Sequence, residues 1–445
     1  MLFTTDKQTL DDLNIFGKHG GGGVYNLFNR TVTKGGAAVL EEMFRYPLGN
    51  QDEINRRSGK LSFFSSAGLQ LPFTGPQLDA IESYLANTDE RTRLSAEGSG
   101  MARRFGNLVA MDGDTAMLYK GIQALVELLQ AIHHFMTSLA LPHAHPYLAD
   151  RNAIMRLLEE PDLTTVLTHA VKHKLPHNVL AGYDGLFRFR HGGTIQRLLN
   201  HCYELDVYMS VAAVARERGF TFAEALPGTQ HRIRITGVYH PLVKHAVPND
   251  IAIMPAGNIL FLTGANMAGK STFMKSLSIA LFLAHMGFPV PAAQMEFSAL
   301  DGLYTTINLP DNLGMGASHF YAEVLRVKKI AAELGQDRNL FIVFDELFRG
   351  TNVKDAYEAT IAIVKAFARR RNSFFVISTH IIEAGAVLRE VCDNVRFVYL
   401  PTHMNGTQPV YTYKLVEGIT DDRHGMVIIN NEGILDMLRS RLPKT

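Results

Sequence analysis

The sequence predicts a multidomain protein, with a helical domain followed by an α/β domain. Three observations carry this expectation. The chain has 445 residues, too many for one ordinary core and suited to two or three domains. Its first half holds long stretches with apolar residues at helical spacing and few strand signals. Its second half alternates short, continuously apolar runs with helical stretches, the pattern of a sheet covered on both faces. The character changes near residue 230. We therefore expect an N-terminal segment 1–26, a helical domain 27–230 and an α/β domain 231–445.

Composition bounds the class. Lys plus Arg number 44 and Asp plus Glu 43, a net charge of +1. That balance excludes a bulk polycation that coats nucleic acid and a highly acidic disordered tail, yet leaves room for a local basic groove. The 2 cysteines, Cys202 and Cys392, exclude a disulfide framework and a zinc site built mainly on thiolates. The opening MLFTTDKQTLDDLNIFG lacks the apolar core of a signal peptide. The longest apolar stretch, SLSIALFLAHMGF from Ser276, is interrupted by His285 and is too short to span a bilayer. The expectation is a reduced, cytoplasmic, soluble protein without a membrane span.

In the first half, a helix is expected over Ala37 to Tyr46, halting at Pro47. In KGIQALVELLQAIHHFMTSLAL, residues Ile122, Leu125, Val126, Leu129, Ile132, Phe135, Met136 and Leu139 recur at helical spacing. From Thr194 to Gly219 a run without internal Gly or Pro places Leu198, Leu199, Cys202, Leu205, Met209, Ala212 and Ala213 on one side, and Gly219 fits a helix stop. Two segments this long predict a lever-like helical domain. The tract HGGGGVYN from His19 has no following GK[ST] and reads as a flexible connector. In the second half, strands are expected at ILFLTG, LFIVFDE, FFVIST and VRFVYL, with helices between them.

The strongest chemical signal is GANMAGKST, Gly264 to Thr272. It matches G-x-x-x-x-G-K-[ST], follows the apolar run Ile259 to Thr263 and precedes a helix-forming run, the context that a P-loop requires. Gly264, Asn266, Met267, Ala268 and Gly269 form a loop whose backbone N–H groups can cradle a phosphate, and the helix beginning at Lys270, Ser271 and Thr272 adds a positive dipole end. Lys270 is placed to reach the β- and γ-phosphates and Ser271 to ligate Mg²⁺. Next, LFIVFDEL puts Asp345 and Glu346 at the carboxyl end of an apolar strand, where ligands bind in open α/β sheets. Asp345 suits the outer shell of Mg²⁺, and Glu346 suits polarising a water for attack on the γ-phosphate. FFVISTH ends in His380, which suits a γ-phosphate sensor. In NLGMGASHFYAEVLRVKKIAAEL, Ser318 opens a helix; it reads either as a plain N-cap or as a second clamp on a phosphate.

Together these segments resemble the ATPase domain of the MutS mismatch-repair family. GANMAGKST departs from the family's GPNMxGKST only at Ala265. The family's DE-[IL]-G-R-G-T is similar to Asp345, Glu346, Leu347, Arg349, Gly350 and Thr351, with Phe348 where glycine is usual and Asn352 where serine is usual. The T-H switch matches Thr379 and His380. The S-T-F-M-x-E helix looks like Ser318, Phe320 and Glu323, with His319 replacing threonine. Upstream, Tyr239, His240 and Pro241 are similar to the family's R-H-P-V strand, and Pro289 to Ala292 to its V-P-A turn. More weakly, LFNRTVTKGGAAVLEEMFRYPL resembles the start of the family's core domain, with its T-x-T-x-x-G stretch, and Glu204 to Ala212 the end of its lever helices.

The resemblance implies an ABC-type ATPase that binds ATP and Mg²⁺ in composite sites of a homodimer, with the partner's copy of Ser318 approaching the γ-phosphate. It implies helical levers that open or close around mismatched, damaged or branched duplex DNA. Against the family pattern, the mismatch-sensing domain and the connector are expected to be missing, little room is expected for an inserted DNA clamp, and the C-terminal helices after His424-Gly425 are expected to be trimmed. The aromatic residue that usually stacks on adenine is replaced by Ala246, and Tyr413 is the candidate to supply a ring instead. Arg56-Arg57 and Arg103-Arg104 are candidate phosphate contacts or plain solvated surface. Two other functions remain open on the sequence: a nucleotide switch on ribosomes or RNA, and an ATP-switched protein-interaction module without nucleic acid.

Overall fold

The computed structural model describes residues 3–17, 22–95, 112–169, 175–309, 319–405, 408–420 and 433–440. Ser318, Arg103, Arg104, His424, Gly425 and the His19-Gly20-Gly21 part of the glycine tract lie outside these residues. Two compact units emerge, and their division differs from the expected 1–26, 27–230 and 231–445. One consists of Phe28–Met43 and Gly59–Ala213, the other of Met1–Leu27, Phe44–Ser58 and Val214–Thr445. The reason is pairing between segments far apart in sequence. Thr4 bridges Gly302 in parallel register. The Leu48 amide donates to the His285 carbonyl at 2.8 Å, and the Asn55 side chain exchanges two hydrogen bonds with the Ala225 backbone at 2.8 and 3.0 Å. Contacts of such separation leave no local pattern to read.

In the first of these units the described residues form helices and turns. The helix Asp112–Ser138 has 27 residues, about 40 Å at the α-helical rise. Ile122, Leu125, Val126, Leu129, Ile132, Phe135 and Met136 are buried along it, and Leu139 is buried just past its end. Helix Lys34–Arg45 starts three residues before the expected Ala37 and stops ahead of Pro47. The T-x-T-x-x-G stretch ahead of it has a physical explanation. Asp206 is buried and accepts from the Thr33 amide at 2.9 Å and the Thr33 hydroxyl at 2.6 Å, with the Val32 amide 3.1 Å away. The Thr33 hydroxyl in turn accepts from the Gly36 amide at 2.9 Å. A Cβ on Gly36 would lie 2.5 Å from an Asp206 carboxylate oxygen, so only glycine fits. The helix bearing Asp206, Gly192–Arg218, ends at Gly219 with φ +63°. Its burial is wider than one side: Met209 and Ala213 are half-buried, whereas Val207, Tyr208 and Val211 are buried.

The other unit is built on a six-stranded sheet. The strands among the described residues are β1 (Thr221–Phe222), β2 (Glu224–Leu226), β3 (Ile233–Val238), β4 (Asn249–Ile253), β5 (Ile259–Gly264), β6 (Pro289–Val290), β7 (Gln294–Ser298), β8 (Gly302–Thr306), β9 (Leu340–Phe344), β10 (Phe374–Ser378), β11 (Val395–Leu400), β12 (Thr402–Asn405), β13 (Gln408–Tyr411) and β14 (Val416–Glu417). The main sheet runs β14-β11-β5-β10-β9-β8, parallel except at β14. The four apolar runs expected as strands are β5, β9, β10 and β11, and their core residues are buried on both faces, as central parallel strands require. One face packs Ile259, Phe261, Ile342, Phe344, Phe375 and Ile377 with Val327 and Ile330 of helix His319–Leu334 and Val364 and Phe367 of helix Val353–Phe367. The almost wholly buried helix Lys270–His285 packs on β3, β5 and β8. That burial explains SLSIALFLAHMGF: no described helix is long and apolar enough to cross a membrane.

A smaller sheet has the order β2-β7-β3-β4. Tyr239, His240 and Pro241, expected within a strand, instead follow the end of β3 at Val238 in a turn. β3 is paired on both sides, and Pro241 has no N–H to continue the ladder.

Candidate functional site

The parallel strands deliver the candidate residues to the carboxyl end of the sheet. The P-loop follows β5, Asp345 and Glu346 follow β9, and Thr379 and His380 follow β10. Because β10 lies between β5 and β9, three segments distant in sequence end side by side.

The loop itself is curled by left-handed backbone. Met267 has φ +68° and Gly269 φ +100°. At Gly269 a Cβ would also lie 2.9 Å from the Tyr413 ring, so that ring rests against the loop and glycine is needed twice over. Asn266 and Met267 are exposed at the tip, Ala268 is buried beneath it, and Gly264 ends β5. Gly269 caps helix Lys270–His285, leaving the first-turn amides facing the loop. The Lys270 ammonium, buried, donates to the carbonyls of Gly264 at 2.9 Å and Ala265 at 3.2 Å. Burial pushes its pKa down, and the carboxylates of Asp345 and Glu346 oppose that shift.

Ser271 and Thr272 are exposed in the first helical turn. The Ser271 hydroxyl donates to Oδ2 of Asp345. Oδ1 of the same carboxylate accepts from the Ser378 hydroxyl at 2.5 Å, and the Asp345 amide donates to the Thr306 carbonyl at 2.9 Å. Glu346 is left-handed, φ +57°, and its amide donates to the Ser378 hydroxyl at 3.0 Å. Its carboxylate accepts from His380 Nε2 at 2.6 Å and faces Arg349 at 3.5 Å. The His380 hydrogen bond holds the Glu346 pKa down at about 2 against partial burial, with Lys270 and Arg349 adding to the shift.

The donor set fits Mg²⁺. Ser271 and Asp345 offer hydroxyl and carboxylate oxygens, the hard ligands that this ion prefers. Among the described residues no group of three or more His, Cys, Asp or Glu is placed to hold a metal alone. A site with few protein ligands suits an ion that keeps its waters and shares substrate phosphates.

Comparison with known proteins bears on the same segments. Residues 260–438 match the family described as MutS domain V. A DNA mismatch repair protein MutS of Bacillus cereus is 27% identical over 371 residues, covering 81% of this chain and 39% of the relative. Another, from Bacillus cereus strain Q1, is 32% identical over 254 residues, 56% of this chain and 28% of the relative. One from Halalkalibacterium halodurans is 29% identical over 255 residues, 56% of this chain and 29% of the relative. The chain carries a segment matching MutS domain V and is similar to MutS proteins over most of its length. It spans about two fifths or less of the length of these MutS relatives.

The departures from the MutS pattern have visible consequences. Phe348, in place of glycine, adopts φ +63° and buries its ring 5.9 Å from that of Phe320. Asn352, in place of serine, caps helix Val353–Phe367 by accepting from the Asp355 amide at 3.0 Å. Glu323 is buried and accepts from the Gly350 amide at 3.3 Å. Tyr413, φ +54°, is held by Asn249, whose side-chain amide donates to the Tyr413 carbonyl at 2.9 Å and whose oxygen accepts from the Leu415 amide at 2.7 Å. The structure thus brings the candidate nucleotide-site residues together except Ser318, which lies outside the described residues as Arg103 and Arg104 do, while Arg56 and Arg57 sit on helix Gln51–Ala67, Arg57 donating to the Met286 carbonyl at 3.2 Å. Sequence reasoning missed Ser378 and Asn249. The signal for Ser378 was a lone hydroxyl closing an otherwise apolar strand.

Proposed function

We propose that this chain is an ATP-dependent DNA-binding protein of the MutS type, which hydrolyses ATP to control its hold on mismatched, damaged or branched duplex DNA. The supporting observation is the hydrogen-bonded chain Ser271–Asp345–Ser378, which joins the P-loop to the acidic strand end. A phosphate-binding loop and a carboxylate suited to a metal in this relation support the reading of a P-loop ATPase half-site, which the likeness to MutS makes ABC-type.

In this reading, Lys270 and the first-turn amides bind the phosphates, and the ring of Tyr413 lies beside the nucleoside. Ser271 and Asp345 hold Mg²⁺, which supplies positive charge to the phosphate oxygens. Glu346 accepts the proton of the attacking water, and His380 donates to the γ-phosphate. Ser318 from a second copy completes the site, so that ATP joins two positive helix ends across a homodimer. Hydrolysis removes the shared charge and loosens the pair. Levers in the helical unit pass the change to DNA.

The test is Mg²⁺-dependent phosphate release, measured with and without matched, mismatched and branched duplexes. Turnover altered by distorted DNA supports the proposal, and Glu346→Gln is expected to trap an ATP-bound dimer. No nucleotide uptake by the purified protein sinks it. Stimulation by RNA in place of DNA moves the function to ribosomes. Turnover without response to any nucleic acid moves it to an ATP-switched interaction module.

A further inference from the structure

Ser378 closes β10, the strand that separates the P-loop strand from the strand bearing Asp345 and Glu346. In register, Ile377 pairs with Phe344 and Ser378 with Leu262. The side chain therefore stands next to Asp345 and is fully buried. Its single hydroxyl proton goes to Asp345 Oδ1 at 2.5 Å, and its oxygen accepts from the Glu346 amide at 3.0 Å. The Ser378 carbonyl accepts from the Leu347 amide at 3.3 Å.

We infer that Ser378 is a positioning residue, whose hydroxyl sets both the rotation of the Asp345 carboxylate and the backbone direction of Glu346. This rests on the proposed ATPase reading, and it assigns to Ser378 a role that neither the P-loop nor the acidic pair suggests. An aspartate's terminal torsion is broad and roughly two-fold, so one anchor does not fix it. Ser271 holds Oδ2 from one side and Ser378 holds Oδ1 from the other. Together they aim the carboxylate plane. The left-handed backbone of Glu346 is costly for a residue with a side chain and persists where neighbours over-determine it. The amide bond to Ser378 is one of those restraints. Because Thr379 and His380 follow directly, a shift of the sensor segment would reach both carboxylates through this hydroxyl.

The experiment compares the full chain with Ser378→Ala and Ser378→Thr, using Mn²⁺ as the metal probe and a non-hydrolysable ATP analogue. Mn²⁺ affinity is read by electron paramagnetic resonance, analogue affinity without metal by calorimetry, and folding by melting temperature. The alanine variant is expected to weaken Mn²⁺ binding about 10- to 100-fold, the usual cost of losing a group that orients a ligand. Its metal-free analogue affinity should stay near wild type, and its melting temperature should fall only modestly, as expected for one stranded amide donor. The threonine variant, which keeps the hydroxyl, should retain tight Mn²⁺ binding. Unchanged Mn²⁺ affinity in the alanine variant overturns the inference, as does equal loss in both variants or a parallel loss of metal-free binding. If the wild-type chain binds neither analogue nor Mn²⁺, the ATPase reading itself fails.

Discussion

The imidazole of His380 donates from Nε2 to Oε1 of Glu346 across 2.6 Å, while Arg349 faces the other carboxylate oxygen at 3.5 Å. The candidate base is thus held by two cation-capable groups and kept fully ionised, with a pKa of about 2. So acidic a carboxylate is a weak proton acceptor, because base strength falls with pKa. Under the proposed ATPase mechanism, catalysis by Glu346 requires that His380 leave it, with the γ-phosphate as the competing acceptor. His380 then has two opposed effects: it restrains the base at rest and stabilises charge during transfer.

Magnitudes decide which effect wins in His380→Ala. Loss of one preorganised donor to developing charge costs about 10²–10³ in kcat. Release of one exposed ion pair returns much less, since such pairs contribute about 1 kcal/mol or less. Single-turnover phosphate release should fall about 100-fold in His380→Ala, with nucleotide affinity within a few-fold of wild type. A faster rate would assign His380 to restraint alone.

Phe348 sets strain against packing. Its φ of +63° costs about 1–2 kcal/mol relative to glycine, the residue usual in MutS relatives. Its buried ring returns more, because emptying a phenylalanine site costs about 3–5 kcal/mol. Phe348→Gly should therefore lower the unfolding free energy by about 1–4 kcal/mol, measured by denaturant titration, although it restores the family residue. A stabilised variant would mean that Phe320 and its neighbours close the cavity.

How far the sequence could be read follows from which patterns are local. β5, β9, β10 and β11 were legible because each is a continuous apolar run, and the P-loop because its residues are consecutive. The order β5-β10-β9 was not, since nothing in a strand names its neighbour, and the role of Ser378 depends on that order. The missing aromatic at Ala246 points to the Tyr413 ring, but nothing local points to Asn249 as its anchor across 164 residues. Likewise Asp6 pairs with Arg326 and Lys329, and Asp12 accepts from the Thr305 hydroxyl at 2.8 Å and the Ile307 amide at 2.9 Å. These contacts tie the N-terminal helix Lys7–Asp12 to β8 and to helix His319–Leu334, and they move the domain boundary away from the one composition marks.

Asp206 is the corresponding anchor of the helical unit. Its carboxylate serves the Val32 and Thr33 amides and the Thr33 hydroxyl, all at 3.1 Å or less. Asp206→Ala strands buried donors, each costing about 1–3 kcal/mol. We expect a loss of about 3–5 kcal/mol by denaturant titration. Asp206→Asn keeps one acceptor oxygen and should lose less; equal losses would show that the charge, rather than the number of acceptors, is what the segment needs.

The last prediction concerns acid. His285 is fully buried, stacked at 4.2 Å on Phe3, and donates from Nδ1 to the Leu48 carbonyl at 2.8 Å, which leaves its other nitrogen as a buried lone pair without a partner among the described residues. Burial pushes its pKa from 6.5 down to about 4, while the Leu48 bond opposes the shift. The folded pKa lies below the unfolded one, so between pH 6.5 and about 4 the unfolded chain binds the extra proton. Stability is therefore intact above pH 6.5, declines through this window and levels off below about 4. The amount is on the order of 3 kcal/mol. His240, also lowered to about 4 by burial and by Lys275, adds to the same slope. His285→Asn keeps a donor near the Nδ1 position but cannot titrate. Its melting temperature should be lower at pH 7.5 and should fall less steeply than wild type from pH 6.5 to 4, with the residual slope removed by a further change at His240. An unaltered slope would overturn this assignment, because Glu346 and Asp6, which the fold holds ionised, lose stability only below their unfolded pKa values of 4.5 and 3.8.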